Sequence, residues 1–136
     1  MAWRDSRDVR DISCPESAFA HIESNLRANE EIRLVSTPNQ FYDEYGAYKK
    51  WPLGLSVTSE RVIIVKPRVL GPKTWQYPIQ DFLSYSVGLF NGTGPSWQVL
   101  TEIQHGRLKF LFQTHDAAEV VAEYINSGVA FWRSEH

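Results

Sequence analysis

Five basic residues lie shortly before and shortly after an apolar stretch in the middle of the chain, and their cationic side chains could bind an anion. Ammonium and guanidinium groups form charge-assisted hydrogen bonds with phosphate and carboxylate oxygens. If folding brings them together, they would suit an anionic ligand or the lipid headgroups of a membrane. Asp43, Glu44 and Glu60 interrupt the pattern, so a solvated basic face is the alternative. The candidate anionic-ligand patch is Lys49, Lys50, Lys66, Arg68 and Lys73.

The segment QFYDEYGAYKKW, residues 40–51, is unusually rich in aromatic side chains for a stretch with glycine and several charges. Exposed aromatic rings often mark a contact with another protein, so we predict an interaction surface here. The alternative is that the rings pack over the body of the domain. The pattern leaves open whether the segment is loop or strand. The candidate interaction residues are Phe41, Tyr42, Tyr45, Tyr48 and Trp51.

Two further tryptophans have a different pattern. Trp75 and Trp97 each alternate in phase with apolar neighbours. This period of two is typical of a strand with one face against a core. We therefore expect both indoles to be buried.

Residues with catalytic or metal-binding chemistry do not form a recognisable group. The four histidines are scattered, and none has a nucleophile or a second base at a motif spacing. The single cysteine, Cys14, excludes an internal disulfide and a thiolate zinc cluster. We expect no cofactor. An enzyme would require a pocket whose polar groups converge only in the fold.

Length and charge restrict the class of protein. A chain of 136 residues with 43% hydrophobic residues fits one domain with one core. Its net charge of -2 argues against broad neutralisation of phosphates, so we expect no nucleic-acid partner. No run approaches the roughly 20 apolar residues that span a bilayer, and the first residues alternate in charge where a signal peptide would be apolar. We expect a cytoplasmic protein.

Periodicity predicts the order of the elements. Residues 1–12 are charged and without period, which predicts a flexible arm before a single domain over residues 13–136. Apolar residues at helical spacing predict one helix over about 15–28 and another over about 116–127, with Asp116 as N-cap and Gly128 as stop. Between them, residues 31–113 alternate often enough for seven strands, as in an antiparallel barrel or sandwich. The last helix would cover an open end of the sheet.

The stretch LSVTSERVIIVKP, residues 55–67, is the clearest hairpin in the chain. Thr58 to Arg61 separate two apolar runs and should reverse the chain direction. The second run, Val62 to Val65, is entirely β-branched, which predicts a strand covered on both faces.

Residues 53–125 resemble bacterial pleckstrin-homology-like domains, including those related to the GRAM group. The resemblance rests on VTSERVIIV, YPIQDFLSYSV, SWQVLTEIQHGRLKFLFQ and DAAEVVAEYI. Six residues fit two short patterns of that family, namely Thr58, Arg61 and Ile64 in the first and, approximately, Ile79, Asp81 and Phe82 in the second.

The resemblance implies an α+β fold with a seven-stranded, bent antiparallel barrel or sandwich capped by the C-terminal helix; the N-terminal helix lies outside it. It also implies a non-enzymatic binding or assembly module, with a protein partner or a homo-oligomer formed through a strand edge, residues 40–51, or both. Peripheral membrane or anionic-ligand binding is the second hypothesis, and an enzyme is the third.

Overall fold

The computed structural model describes residues 14–91 and 95–136, so the arm predicted over residues 1–12 lies outside the described residues. The two helices are α1 (Glu16–Ser24) and α2 (His115–Glu135), and a single 3-10 turn covers Ile79–Asp81. The strands are β1 (Ile32–Ser36), β2 (Gln40–Tyr42), β3 (Tyr48–Lys50), β4 (Gly54–Thr58), β5 (Arg61–Lys66), β6 (Lys73–Pro78), β7 (Phe82–Asn91), β8 (Pro95–Ile103) and β9 (Gly106–Phe112).

The strands form two antiparallel sheets. One has the order β1-β4-β5-β6 and the other the order β3-β2-β9-β8-β7. Their inner faces enclose a core that α2 also contacts, with Leu55, Ile64, Phe110 and Ile125 among its buried side chains. The predicted α+β class is confirmed, and within the described residues its form is a sandwich rather than a closed barrel.

The first hairpin of the fold has β1 and β2 as one arm and β3 and β4 as the other. It belongs to both sheets because each arm bends. Residues 37–39 separate β1 from β2, and residues 51–53 separate β3 from β4. Each bend contains a proline, Pro38 or Pro52, which cannot donate a ladder hydrogen bond. The Trp51 amide donates to the Asn39 carbonyl across the two bends, at 2.8 Å. The seven predicted strands are all present. Segment 40–51, for which the sequence pattern left loop or strand undecided, contains the two further short strands β2 and β3.

Helix α1 covers the outer face of the four-stranded sheet. Ala18 and Ile22 are buried there in a second cluster with Ile63 and Val65 of β5. All four residues from Val62 to Val65 are buried, which confirms the strand covered on both faces. The approach is close at Gly54, where an added Cβ would lie 2.9 Å from the Ala18 Cβ.

Both helices differ in length from the predictions. Helix α1 ends at Ser24 instead of continuing to residue 28, because the following residues turn back toward the sheet and Asn29 has a φ of 67°. Helix α2 continues past the predicted stop. Gly128 is buried inside it, and the apolar stripe resumes with Val129 and Trp132 against the core.

The N-cap of α2 also differs from the prediction. Thr114 is the cap, and its hydroxyl accepts a hydrogen bond from the Ala117 amide at 3.2 Å. Asp116 lies in the first turn of the helix, where a negative charge interacts favourably with the helix dipole.

Candidate functional site

The turn between β4 and β5 holds a buried ion pair. Arg61 donates to both carboxylate oxygens of Glu30, from Nε to Oε2 at 2.8 Å and from Nη2 to Oε1 at 2.9 Å. The Thr58 hydroxyl donates to Oε2 at 2.6 Å and accepts from the Arg61 amide. Arg61 also donates to the Asn25 carbonyl and the Gln76 side chain. Thr58 and Arg61, two of the six residues that carried the family resemblance, therefore attach the segment after α1 to the sheet.

The environment of Glu30 favours its charged form. Burial by itself would raise the pKa of this carboxyl group. Hydrogen bonds from Arg61, from Thr58 and from the Arg27 amide act in the opposite direction and hold the pKa below its ordinary value of 4.5. With every carboxylate oxygen partnered inside the domain, this group serves the fold, not a ligand.

Trp75 of β6 brings together basic residues from two separate segments. The Lys49 Nζ lies 5.6 Å from the Trp75 ring centroid, and the Lys73 Nζ lies 5.0 Å from it. Lys66 is the register partner of Lys73, and its Nζ donates to the Lys50 carbonyl at 2.9 Å. Four members of the candidate anionic-ligand patch therefore gather at one end of β3, β5 and β6. Their binding to an anion stays a prediction.

The fifth member, Arg68, lies in the loop between β5 and β6. The Gly71 amide donates to the Arg68 carbonyl at 3.1 Å, so Val69 and Leu70 are the central residues of a β-turn. Gly71 has a φ of 113°, which a residue with a side chain rarely adopts. Val69 and Leu70 are 103% and 98% exposed. The sequence did carry a signal for this apolar tip, because Val69 and Leu70 stand before a glycine and outside any alternating pattern. We did not predict from it that both side chains are exposed.

The aromatic segment divides between the core and the surface. Phe41 is completely buried, stacks on Phe110 at 5.3 Å and meets Trp75 edge-on at 5.6 Å, so its assignment to an interaction surface is wrong. Its side chain lies on the inner face of β2. Tyr42 is half-buried beside Tyr48, with 5.2 Å between ring centroids.

Three of the five aromatic candidates are exposed. Tyr45 is at the tip of the β2–β3 turn, Tyr48 is on β3, and Trp51 is at the bend that follows it. Trp51 also lines a cleft of about 500 Å³ together with Asn39 and Thr114. Whether these rings contact a partner stays a prediction.

The tryptophans expected in the core are only half-buried. Trp75 and Trp97 both pack against the main core from its edge. Lysines occupy the outer side of the Trp75 ring, and His115 at the start of α2 meets Trp97 edge-on at 4.5 Å between centroids. Alternation correctly predicted the face on which each indole lies. It could not show that each indole lies at the edge of the core, where part of the ring stays exposed to solvent.

Titratable side chains line one further cleft, of about 390 Å³, between the β2–β3 turn and strands β8 and β9. Its Asp43 is itself buried, and Oδ1 accepts hydrogen bonds from the Tyr45 and Ala47 amides at 3.0 and 2.9 Å. This carboxylate stabilises the turn. Across residues 14–91 and 95–136, no group of three or more His, Cys, Asp or Glu side chains is placed to hold a metal ion.

Neither helix in the described part of the chain is long and apolar enough to cross a membrane.

Strand β7 is an edge of the five-stranded sheet. It pairs with β8 on one side, and no strand of the described residues pairs with the other. Its ten residues, FLSYSVGLFN, include no charged residue and no proline. Leu83, Tyr85 and Leu89 are large apolar side chains exposed along it. Ile125 and Val129 of α2 line a small cavity beside the first two.

Comparisons with known proteins bear on the fold. No protein-family model matches the chain, and no curated protein matches it. Among the solved structures that are similar, two come from Shewanella species. One is a pleckstrin homology domain from Shewanella amazonensis SB2B, with a TM-score of 0.55, 18% identity, and coverage of 82% of this chain and 94% of that one. The other is a DUF1696 family protein with a pleckstrin-homology domain from Shewanella loihica PV-4, with a TM-score of 0.53, 13% identity, and coverage of 81% and 88%.

These likenesses, together with the two-sheet sandwich and the C-terminal helix, define the class of fold as pleckstrin-homology-like. The solved neighbours are bacterial, in agreement with the resemblance drawn from the sequence. They do not bear on the suggested relation to the GRAM group.

Proposed function

We propose that this protein is a non-enzymatic assembly module that associates with a second copy of itself by adding a strand at the free edge of β7. The observation that carries the proposal is the unprotected character of that edge. An unpaired strand presents a row of amide and carbonyl groups that another strand can pair with.

The other edges of the sheets carry residues that discourage such pairing. Strand β1 contains Arg33, β3 contains Lys49 and Lys50, and β6 contains Lys73 and Pro78. Charged side chains and proline are common means of protecting an edge strand. Strand β7 has neither over its whole length. An identical edge from a second copy would therefore meet no charged side chain of β7 itself, although Arg133 of α2 lines the small cavity beside the strand.

Apolar side chains along β7 support the same conclusion. Tyr85 is 44% exposed and Leu89 is 53% exposed, although both lie in a strand where polar residues would be expected to face water. Strand pairing would bury part of this surface, and the cavity lined by Ile125 and Val129 could receive a side chain from the added strand.

The solution mass of the full chain, measured by light scattering over a range of concentrations, tests the proposal. We expect an oligomer for the wild type and a shift toward the monomer for Tyr85→Lys, because each copy would then carry a positive charge on the pairing edge. Val120→Lys, at an exposed apolar position on α2, is the matched control and should leave the mass unchanged.

A wild type that stays monomeric at every concentration would contradict self-association. The variant Trp51→Ala tests whether the contact is made by the exposed aromatic residues of segment 40–51 instead of the β7 edge. We expect its mass to equal that of the wild type. If Trp51→Ala dissociates the oligomer and Tyr85→Lys does not, the contact lies at the aromatic segment and the assignment to β7 is wrong.

A further inference from the structure

The loop between β5 and β6 has an apolar tip, and positively charged residues flank that tip on both sides. We call the set formed by Lys49, Lys50, Lys66, Arg68, Val69, Leu70 and Lys73 the β5–β6 loop surface. It combines β5, β6 and their loop in the four-stranded sheet with β3 of the five-stranded sheet, and β7 is the opposite edge of that second sheet. It therefore offers a function beyond self-association.

The apolar tip is held in place. Arg68 closes the turn twice, because its carbonyl accepts from the Gly71 amide at 3.1 Å and its Nε donates to the Gly71 carbonyl at 3.2 Å. Pro67 and Pro72 flank the turn and restrict the backbone on both sides. Central turn positions favour glycine, proline, asparagine, aspartate and serine, so a valine and a leucine fully in water at these two positions are unusual.

The two chain segments that form this surface carry charge of only one sign. Residues 66–75 and residues 48–51 together contain the five basic residues and no acidic residue. The chain as a whole has a net charge of -2, so this concentration of positive charge is local. Lys50, Arg68 and Lys73 are exposed, and Lys49 and Lys73 are drawn together by the Trp75 ring between the two segments.

We propose that the β5–β6 loop surface docks on an anionic lipid bilayer, with Val69 and Leu70 entering the interface and the surrounding lysines and Arg68 meeting the headgroups. A bilayer offers both of the surroundings that this surface requires, an apolar interior for the tip and a layer of negative charge around it. A soluble anion would satisfy the charges but would leave both apolar side chains in water.

Sedimentation of the full chain with vesicles tests this docking. The two vesicle types are phosphatidylcholine alone and phosphatidylcholine mixed with phosphatidylglycerol. We expect binding to the mixed vesicles only, weakening as salt rises because counterions screen the exposed charges. Removing one exposed charge, by Lys50→Gln or Arg68→Gln, should lower the affinity about fivefold. Val69→Ser with Leu70→Ser should lower it at least about tenfold.

Matched controls separate a local effect from a general one. Arg27→Gln and Arg107→Gln each remove one exposed basic charge elsewhere on the protein, and we expect each to leave vesicle binding nearly unchanged. Val120→Ser with Phe131→Ser removes two exposed apolar side chains from α2, away from both proposed surfaces, and should also leave it unchanged. All these side chains are solvent-exposed, so an unchanged midpoint of urea unfolding should show that each variant is folded.

Three results would overturn the proposal. The first is no binding to the mixed vesicles. The second is unchanged vesicle binding by the double variant Val69→Ser with Leu70→Ser, which would show that charge attraction alone accounts for the binding. The third is binding to polyglutamate with no binding to vesicles, which would assign the surface to an acidic protein partner. Each can be told apart from failure of the β7 proposal, because that proposal is measured by solution mass and depends on other residues.

Discussion

The Arg61 guanidinium and the Glu30 carboxylate form a two-bond pair inside the protein, with side chains that are 8% and 0% exposed. The pair joins the β4–β5 turn to the segment that follows α1. It places residues 31 positions apart in direct contact. The position of α1 relative to the sheet therefore depends in part on one ion pair.

Removal of Arg61 should be costly because it leaves the Glu30 charge buried. We expect Arg61→Gln to lower the free energy of unfolding by about 3–5 kcal/mol, measured by urea denaturation. The control is Arg27→Gln, since Arg27 also pairs with a glutamate, Glu60, but the two side chains are 57% and 38% exposed. That change should cost less than about 1 kcal/mol. Equal losses would contradict the importance of burial.

Stability should depend on the ionisation of Glu30 at acid pH. The pKa of this group is lower in the folded protein than its ordinary value of 4.5. Its stabilising effect is therefore complete above the pKa of the unfolded chain and is lost as pH falls through the lower pKa of the folded state. We expect Glu30→Gln to lack this part of the pH dependence when unfolding is measured from neutral to acid pH. Parallel curves for wild type and variant would refute the assignment.

The close packing of α1 on β4 predicts that a single methyl group at Gly54 is harmful. Its Cβ would lie 2.9 Å from the Ala18 Cβ and 3.1 Å from the Cys14 Sγ, so the helix would have to move. We expect Gly54→Ala to lower the free energy of unfolding by about 1–3 kcal/mol. Gly88→Ala in β7 is the control, because nothing lies within 4 Å of its added Cβ. That variant should be as stable as the wild type.

Trp75 should contribute to stability as well as to the arrangement of the lysines. Its ring meets Phe41 edge-on and carries Lys49 and Lys73 within 5.6 Å. We expect Trp75→Leu to lower the free energy of unfolding by about 1–3 kcal/mol, from lost aromatic and cation–π contacts. Trp51→Leu, at a ring that is 56% exposed, should change it by less than about 0.5 kcal/mol. Similar effects of the two changes would contradict this difference.

The strands could be predicted from sequence wherever one face of a strand meets the core. Alternation identified β1, β4 and β6 to β9, and the β-branched run Val62 to Val65 correctly indicated that β5 is a strand covered on both faces. Helix ends were less predictable. Glycine is a common helix stop, but burial of Gly128 and Val129 against the core keeps α2 continuous through that position.

Candidate site residues could be chosen from the sequence by their type, but only the fold showed which of them are buried and which are exposed. Phe41 and Tyr48 belong to the same aromatic segment, yet one is in the core and the other faces water. Phe41 of β2 pairs with Lys49 of β3, so Tyr48, the residue before Lys49, points to the opposite side of the sheet. In the same way, Lys49 and Lys73 are 24 positions apart and could not be assigned to one ring until β3 and β6 were placed.

The sequence alone determined the kinds of element, their order and the apolar faces that had to be covered, since these follow from local periodicity and from the need to remove apolar area from water. The tertiary structure decided which distant residues meet. It paired Arg61 with Glu30, placed Lys49 and Lys73 at the Trp75 ring, left the β7 edge without a partner in the described residues, and exposed Val69 and Leu70 at a turn. These relationships depend on how the first hairpin bends between the two sheets, and local periodicity does not encode that bend.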